Sequence, residues 1–414
     1  MDLMKTVRHP ITVAVASLLC SGSVQASGFS VPEVSIAGLG ASNALVANPE
    51  LLGAVPYNPS LAAFHAGTTV SGGLVVVHAI SKADTEFPNA PGSYEFQGKD
   101  NVFIPNLSAT HQLNDLLTLS FTTSVPLGLS TQFESGAFSS LNNIPAPPLN
   151  SSPTKSQVEV VDVSPGLAFR VGENTSVAFG IDYYLARKVA FDTVSVQNKG
   201  DGDAWGWNIS ASHIKGPWSF GASFRSRAAA DIDGETTFMG TKFNGTSTTL
   251  NIPWRAQAGV RYQVNTALAL EFDVSRTGWN SFDDLTIETQ SPAGTIVSRN
   301  RWKDTNAYRI GGTYQMNSDT QLRFGYTYDK TGMPDDYFSA RVADANRHLF
   351  SVGIEKQLGD GLAIEGGYML VHFTERSHRA AGFTEPGEVN GSLFYNGDYR
   401  TNVHLIGVGL SKRF

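Results

Sequence analysis

His372 and His378 are the two side chains whose type and spacing come nearest to a reactive unit. They are separated by an even number of residues, so in one strand both imidazoles would share a face, where a divalent ion is the chemistry they could serve. Two solvated histidines are the other reading. His65, His78, His111, His213, His348 and His404 are scattered, with no His-Glu-x-x-His pair, and no Gly-x-Ser-x-Gly elbow occurs. The chain has a single cysteine, Cys20. These residues supply no catalytic constellation, so the expectation is a protein that is not an enzyme and needs no cofactor or metal.

Residues 1–26 have the form of a secretory signal. Lys5 and Arg8 precede an apolar run from Ile11 to Cys20, and Val24-Gln25-Ala26 offers a cleavage site before Ser27. The run is shorter than the ~20 residues a membrane-spanning helix needs. Leu19 is bulky where a lipoprotein signal has a small residue before its cysteine. Without residues 1–26, which carry Lys5, Arg8 and Asp2, the net charge is −8 and no cysteine remains. Disulfides and thiolate chemistry are then excluded, and an acidic chain argues against a nucleic-acid partner.

The elements that must position any site are strands. From His404 to Phe414, one parity reads His404, Ile406, Val408, Leu410, Lys412, Phe414, and the other Gly407, Gly409, Ser411, Arg413. Leu268, Leu270, Phe272 and Val274 oppose Ala269, Glu271, Asp273 and Ser275 in the same way. Leu322, Phe324, Tyr326 and Tyr328 oppose Arg323, Gly325, Thr327 and Asp329, and Val177 to Leu185 oppose Ala178 to Ala186. In the last three of these segments charge falls on one parity only, which is what a wet interior beside a lipid face produces. About fourteen strands are expected, starting near residues 67, 100, 115, 156, 173, 202, 217, 246, 266, 299, 319, 343, 361 and 396. Short joins such as Asn114-Asp115, Gly172-Glu173, Gly216-Pro217 and Gly359-Asp360-Gly361 fall on the periplasmic side. Longer joins at 81–99, 134–155, 331–342 and 379–395 fall outside, and prolines make 142–153 irregular. The six tryptophans are expected in the interfacial girdles.

Residues 27–66 do not alternate, yet they are small and apolar, which argues for burial inside the barrel. The expected organisation is a signal over 1–26, an N-terminal, partly helical hatch over 27–66 and an all-β, antiparallel transmembrane barrel over 67–414, in the outer membrane of a Gram-negative bacterium.

Several short blocks carry a resemblance: Ser27-Gly28-Phe29, Ser35-Ile36-Ala37-Gly38-Leu39-Gly40, Tyr57-Asn58-Pro59-Ser60, Gly202 to Asn208, Gly221 to Ser226, Thr277 to Phe282 and Trp302 to Thr305. In this order, across nearly the whole mature chain, they resemble the FadL/TodX-type outer-membrane transporters of long-chain fatty acids and hydrocarbons. The resemblance implies a fourteen-stranded barrel with a hatch, an extracellular groove, an internal ligand site and a lateral opening at a kink in the third strand. Pro126 and Gly128 are the local counterpart of that kink, since proline lacks a ladder donor and glycine a side chain; the alternative is that Pro126 ends the strand. The family's hatch motif is Asn-Pro-Ala, and here Asn58-Pro59 is followed by Ser60.

The resemblance also points to Lys303 and Arg187 as partners of a ligand carboxylate. Lys303 shares parity with Thr305, Ala307 and Arg309 and is expected to face the lumen, whereas strict alternation turns Arg187 outward unless the strand bulges. A rim charge in solvent is the competing reading for both. Leu39, Leu51, Leu52 and Phe64 are expected to line the tail's path, and Val125, Leu127 and Leu129 the exit. The expected function is passive transport of long-chain fatty acids by a monomer exchanging ligand with outer-membrane lipid. Two alternatives stand beside it: uptake of neutral or aromatic hydrocarbons, and a surface barrel for adhesion or phage attachment with its plug closed.

Overall fold

The structure, a computed structural model, describes residues 28–97, 101–134, 136–143 and 152–414. The expected signal over 1–26 and residues 144–151 of the proline-rich join lie outside the described residues.

Fourteen antiparallel strands form one closed barrel. They are β1 (Thr68–Thr85), β2 (Gly92–Gln97 and Val102–Gln112), β3 (Leu117–Gln132), β4 (Pro153–Gly172), β5 (Thr175–Thr193), β6 (Val196–Lys215) and β7 (Trp218–Arg225 and Ala228–Phe238). The others are β8 (Thr241–Ile252 and Arg255–Gln263), β9 (Leu268–Thr277 and Asp284–Glu288), β10 (Ile296–Arg299 and Thr305–Gln315), β11 (Thr320–Asp329), β12 (Arg347–Gly359), β13 (Leu362–Phe373 and Arg376–His378) and β14 (Gly397–Arg413). Closure is made by β1 on β14, in continuous register from Thr69↔Arg413 to Thr85↔Gly397. A closed sheet leaves no edge unpaired, which a bilayer requires.

Three strands begin earlier than alternation predicts. β2 starts at Gly92, β6 at Val196 and β8 at Thr241. The added residues pair beyond the apolar belt, as Ser81–Thr85 does with 92–97 and Val196–Asp203 with 231–238. No lipid faces them there, so no outward hydrophobic pattern marks them; the backbone ladder holds them together with inward contacts such as Phe96 on Phe133 and Thr236 on Asn198.

The faces sort by charge. Phe272 is 43% exposed while its neighbour Asp273 is fully buried. Phe324, Ile406, Val408 and Leu410 likewise point out, and Arg323, Thr327 and Leu405 point in. Buried charges persist only if paired. Arg323 donates to Glu365 Oε2 at 2.6 Å and to Glu355, and Arg347 to Asp329 Oδ2 at 2.7 Å.

Residues 28–66 lie against this inner wall. Helix α1 (Ile36–Gly40) starts at Ser35, whose Oγ accepts from Gly38 N at 3.0 Å. The segment's backbone is held from several sides of the barrel. Val46 N donates to Asp273 and Ala47 N to Glu271 on β9, at 3.1 and 2.7 Å. Thr327 on β11 donates to Ser42 O at 2.8 Å, Ser351 on β12 to Gly40 O at 3.2 Å, and Ser176 on β5 to Ser60 O at 2.8 Å. Inward glycines make the approach possible: a Cβ at Gly221 would stand 1.9 Å from Val46 O, and one at Gly353 2.8 Å from Gly40 Cα.

Candidate ligand cavity and the gap in the wall

Inside the outer half of the barrel, the upper parts of β4 to β10 enclose an apolar cavity. Val158, Val189, Ile232, Leu250 and Ile287 line it, with Leu129 of β3, Phe282, and Phe29 from the N-terminal segment. Its empty space is about 840 Å³, open mouth included. Phe29 is itself anchored, its ring 4.8 Å from Trp279, 5.1 Å from Phe282 and 6.2 Å from Trp302, centroid to centroid.

Two cationic residues border this space, Lys199, which is exposed, and Arg341, which is buried. Arg341 sits in the join between β11 and β12, which folds inward so that Phe338, Ala340, Val342 and Ala343 are buried. Its Nη1 donates to Lys155 O, Ser156 Oγ and Asp192 O at 3.2, 2.9 and 3.0 Å, and the guanidinium stacks 3.9 Å from the Phe191 ring centre. Thr131 Oγ1 donates to Arg341 O at 2.7 Å, which ties the join to β3. Burial pushes the guanidinium below its usual range, against the opposing pull of Tyr395 and Asp192. No carboxylate among the described residues forms an ion pair with it. It is a buried cation held by neutral acceptors and an aromatic face.

The wall beside the cavity is incomplete. β2 pairs with β3 only from Gln112↔Thr118 to Leu107↔Thr123. Beyond Thr123 the neighbour of β3 on that side is the N-terminal segment: Val31 N donates to Pro126 O, and Gly128 N to Phe29 O, both at 2.8 Å. Ser30 and Leu127 form an antiparallel bridge between these bonds. On its other side β3 shifts register against β4 between Ser124 and Leu127. Pro126 therefore sits in a bulge and does not end the strand, which runs on to Gln132.

A cavity in the lumen, a gap between β2 and β3 and a segment spanning both can be set beside known proteins. Residues 17–414 match the family model described as "Outer membrane protein transport protein (OMPP1/FadL/TodX)". The chain belongs to this family. The "Long-chain fatty acid transport protein" of Escherichia coli O6:H1 is 22% identical, over 91% of this chain and 95% of that protein. Among solved structures, a Pseudomonas aeruginosa FadL homologue superposes with a TM-score of 0.77 at 16% identity, over 94% of this chain and all of that one. The Ralstonia pickettii toluene transporter TbuX does so with a TM-score of 0.66 at 16% identity, over 92% and 99% of the two chains. This FadL/TodX-family member is thus an outer-membrane barrel that transports hydrophobic substrates.

Within this family frame, the two expected carboxylate partners stand away from the cavity. Lys303 is exposed in the break between the two parts of β10, and its side chain makes no hydrogen bond or ion pair with the described residues. Its parity fails because the strand starts only at Thr305; in the break the order reverses, and Trp302 is buried instead. Arg187 is exposed too. β5 does bulge there, since Glu159 pairs with Lys188 and Val160 with Ala186, leaving Arg187 as the extra residue. The bulge turns Lys188 toward Glu159, with Nζ 3.0 Å from Oε2, and not Arg187 into the lumen.

The expected tail-lining residues pack elsewhere. Leu39 is buried against Gly367 and Gly407, Leu51 belongs with Ala54 and Leu61, Leu52 is half-buried beside them, and Phe64 faces Arg170 at 5.5 Å. None lines the cavity; all four serve the packing of the N-terminal segment on the wall. Of the expected exit residues, Leu129 reaches the cavity while Val125 and Leu127 are buried beside it. The tryptophans divide: Trp205, Trp207 and Trp218 are exposed, whereas Trp279 and Trp302 are buried around Phe29.

Asn58, Pro59 and Ser60 form one hydrogen-bonded knot on the wall. Asn58 Nδ2 donates to Val46 O and Ser212 Oγ at 2.7 and 2.9 Å, and its Oδ1 accepts from Ser60 Oγ at 2.6 Å. Pro59 opens the short helix Pro59–Phe64, where no donor is needed. Ser60 N donates to Ser210 Oγ at 2.9 Å, and Ser60 Oγ lies 2.6 Å from Ser212 Oγ. The hydroxyl that departs from the family motif is thus a bridge to β6. His372 and His378 part company: His372 faces outward, while His378 is buried with its ring 4.9 Å from Phe338. The strand is broken between them at Thr374-Glu375, which reverses parity, and no cluster suited to a metal occurs among the described residues.

Arg341 escaped the sequence reading because it lies in no strand. Its signal was a lone charge among small and apolar residues, Ser339-Ala340-Arg341-Val342-Ala343, a composition suited to a buried join.

Proposed function

We propose that this chain carries long-chain fatty acids across the outer membrane, with Arg341 receiving the carboxylate and the apolar cavity the tail. The observation that carries the reading is the buried guanidinium, which forms no ion pair among the described residues and of the carboxylates feels only the longer-range pull of Asp192, at the edge of an apolar cavity. A neutral hydrocarbon needs no such group, and an unpaired buried charge is costly to keep. The name borne by the Escherichia coli relative supports it; the toluene transporter's fold supports the hydrocarbon alternative equally.

Residues 27–66 act in this reading as a plug in the 67–414 barrel, and Asn58, Pro59 and Ser60 as its clasp. Release of Phe29–Val31 from β3 opens the gap at Pro126 and Gly128, and ligand leaves sideways into the bilayer. Lateral exit suits an amphiphile, because each Å² of tail passed through water costs about 25 cal/mol. No catalytic step and no energy source enters.

Binding of oleate and of octadecene to the purified barrel tests this, with Arg341→Gln and Lys303→Ala alongside. Charge-assisted hydrogen bonds contribute about 1.5–3 kcal/mol, so Arg341→Gln should weaken oleate about 10- to 150-fold and leave octadecene unchanged. Lys303→Ala should change neither. Equal binding of the two ligands, insensitive to Arg341, selects the hydrocarbon reading; binding of neither, with intact surface attachment, selects the adhesion reading.

A further inference from the structure

Four histidines that the transport path does not use lie side by side on the outside of the barrel. His78 and His404 are directly paired across β1 and β14, and His348 and His372 across β12 and β13. These four strands are consecutive around the barrel, so the row spans three inter-strand steps, about 14 Å at ~4.8 Å each. The row marks a boundary. On one side of it the outward residues are apolar, as with Ile406, Val408 and Leu410. On the other side Lys82 pairs with Glu95, and Arg400 with Asp84.

Each imidazole is oriented by its Nδ1. Tyr326 OH is 2.8 Å from that of His348, and Tyr368 OH 2.9 Å from that of His404. Asn402 Oδ1 is 2.7 Å from that of His372, and Asn101 Oδ1 3.1 Å from that of His78. None of the four Nε2 atoms has a hydrogen-bond partner among the described residues. Immediately on the membrane side is an apolar depression lined by Phe324, Tyr326, Phe350, Val352, Tyr368 and Leu370.

We propose that this face binds a phosphorylated glycolipid of the outer leaflet, its acyl chains in the depression and its phosphates against the histidine row. The pairing of chemistries is the argument. Where Nδ1 accepts a tyrosine hydroxyl, as at His348 and His404, Nε2–H is left as a donor to a phosphate oxygen, and the imidazoles of His78 and His372, held by asparagine, stand in the same row. The ordinary phosphate binders nearby, Lys82 and Arg400, are already engaged by carboxylates. The width of the row also suits a headgroup carrying two separated phosphates.

Native mass spectrometry of the full barrel, with bis-phosphorylated lipid A against the same lipid stripped of phosphate, tests the inference. The phosphorylated lipid should be retained at least tenfold better, and the advantage should vanish in the combined variant H78F/H348F/H372F/H404F. A β-sheet circular-dichroism spectrum and heat-modifiable gel mobility like those of the unaltered barrel report that the variant is folded; should it fail to fold, the pair H348F/H404F is read in its place, with at least a threefold loss expected. Equal retention of both lipids, or a phosphate preference that survives in the folded variant, overturns the proposal.

Discussion

Removing the ring of Phe29 should release the N-terminal segment from the gap between β2 and β3. Phe29 is 1% exposed, and truncating a buried phenylalanine to alanine typically costs about 3–5 kcal/mol. What remains in Phe29→Ala is two backbone hydrogen bonds, Val31 N to Pro126 O and Gly128 N to Phe29 O, contributing about 1 kcal/mol each. Against these stands the cost of ordering residues 28–31, about 1–2 kcal/mol per residue. The ring therefore tips a near balance: the docked state holds with it and fails without it. At the low end, about 3 kcal/mol is somewhat more than a hundredfold in the opening equilibrium. Because Cys20 is the only cysteine, Ser30→Cys in a Cys20→Ser background gives a single reporter thiol beside the gap. Its alkylation by a water-soluble maleimide should be slow with Phe29 present and at least a hundredfold faster in Phe29→Ala. Equal protection in both would refute the reasoning, since it would mean that the rest of the segment holds residues 28–31 in place without the aromatic anchor.

Three further outcomes follow from the same contacts. Ser60→Ala removes the hydroxyl shared by Asn58 and Ser212, and should cost about 1–2 kcal/mol in resistance of the N-terminal segment to denaturant, read by protease access at otherwise buried Leu61. Gly221→Ala places a methyl group on Val46 O, so the segment must move; ion conductance in a planar bilayer should rise from near zero to discrete channel events, and a silent variant would count against a plug. Burial raises the carboxyl of Glu33 above its usual range, although Asn43, Arg347 and Arg309 pull the other way. Its folded value being the higher, the contribution to docking is full at low pH and is lost as pH rises through that value. Leakage should therefore increase as pH rises beyond the ordinary carboxylate range, and Glu33→Gln should flatten the profile at the low-pH level.

The sequence disclosed the wall better than the site, for a physical reason. A strand with lipid on one side and water on the other must alternate, so Phe272 beside Asp273 and Phe324 beside Arg323 were legible residue by residue. The same rule failed wherever a strand was interrupted. Lys303 and Trp302 exchange places because β10 breaks between Asn300 and Asp304, and His372 and His378 diverge across the break at Thr374-Glu375. Arg187 is exposed, as strict alternation has it; the bulge that could have turned it inward is present, but it brings Lys188 to Glu159 instead. The cavity was illegible for another reason: its wall comes from eight strands, the N-terminal segment and one inward-folded join, far apart in sequence. Leu39, Leu51, Leu52 and Phe64 drew notice as apolar residues near the entrance of the chain, but apolar character does not separate a ligand's wall from the core of a small packed segment.

Charge placement divides the lumen into two environments, and this division is what allows one barrel to be both closed and receptive. Asp273, Glu271, Thr327 and Ser351 hold backbone groups of residues 40–47, so the segment satisfies part of the polar wall, while Asp273 Oδ1 and Glu271 Oε2 have no hydrogen-bond partner among the described residues. Such contacts are exchangeable with water: a segment that shifts leaves carboxylates and hydroxyls that water can solvate, at modest net cost. Around the cavity the situation is reversed. Its walls offer a displaced segment nothing, and a bound acyl chain everything that apolar burial supplies. Phe29 belongs to both regions, its ring in the cavity wall and its carbonyl on Gly128. In the proposed reading, a ligand tail that competes for the space next to Phe29 would act on the residue whose displacement opens the wall, and would leave the hydrogen bonds of Asn58 and Ser60 in place. On this argument tail length, more than headgroup, decides release: an acid too short to reach from Arg341 to Phe29 should bind and stay. Dissociation of a radiolabelled eight-carbon acid should then be indifferent to Phe29→Ala, while that of oleate is accelerated; acceleration of both would show that the ring gates the cavity as a whole and does not sense the tail.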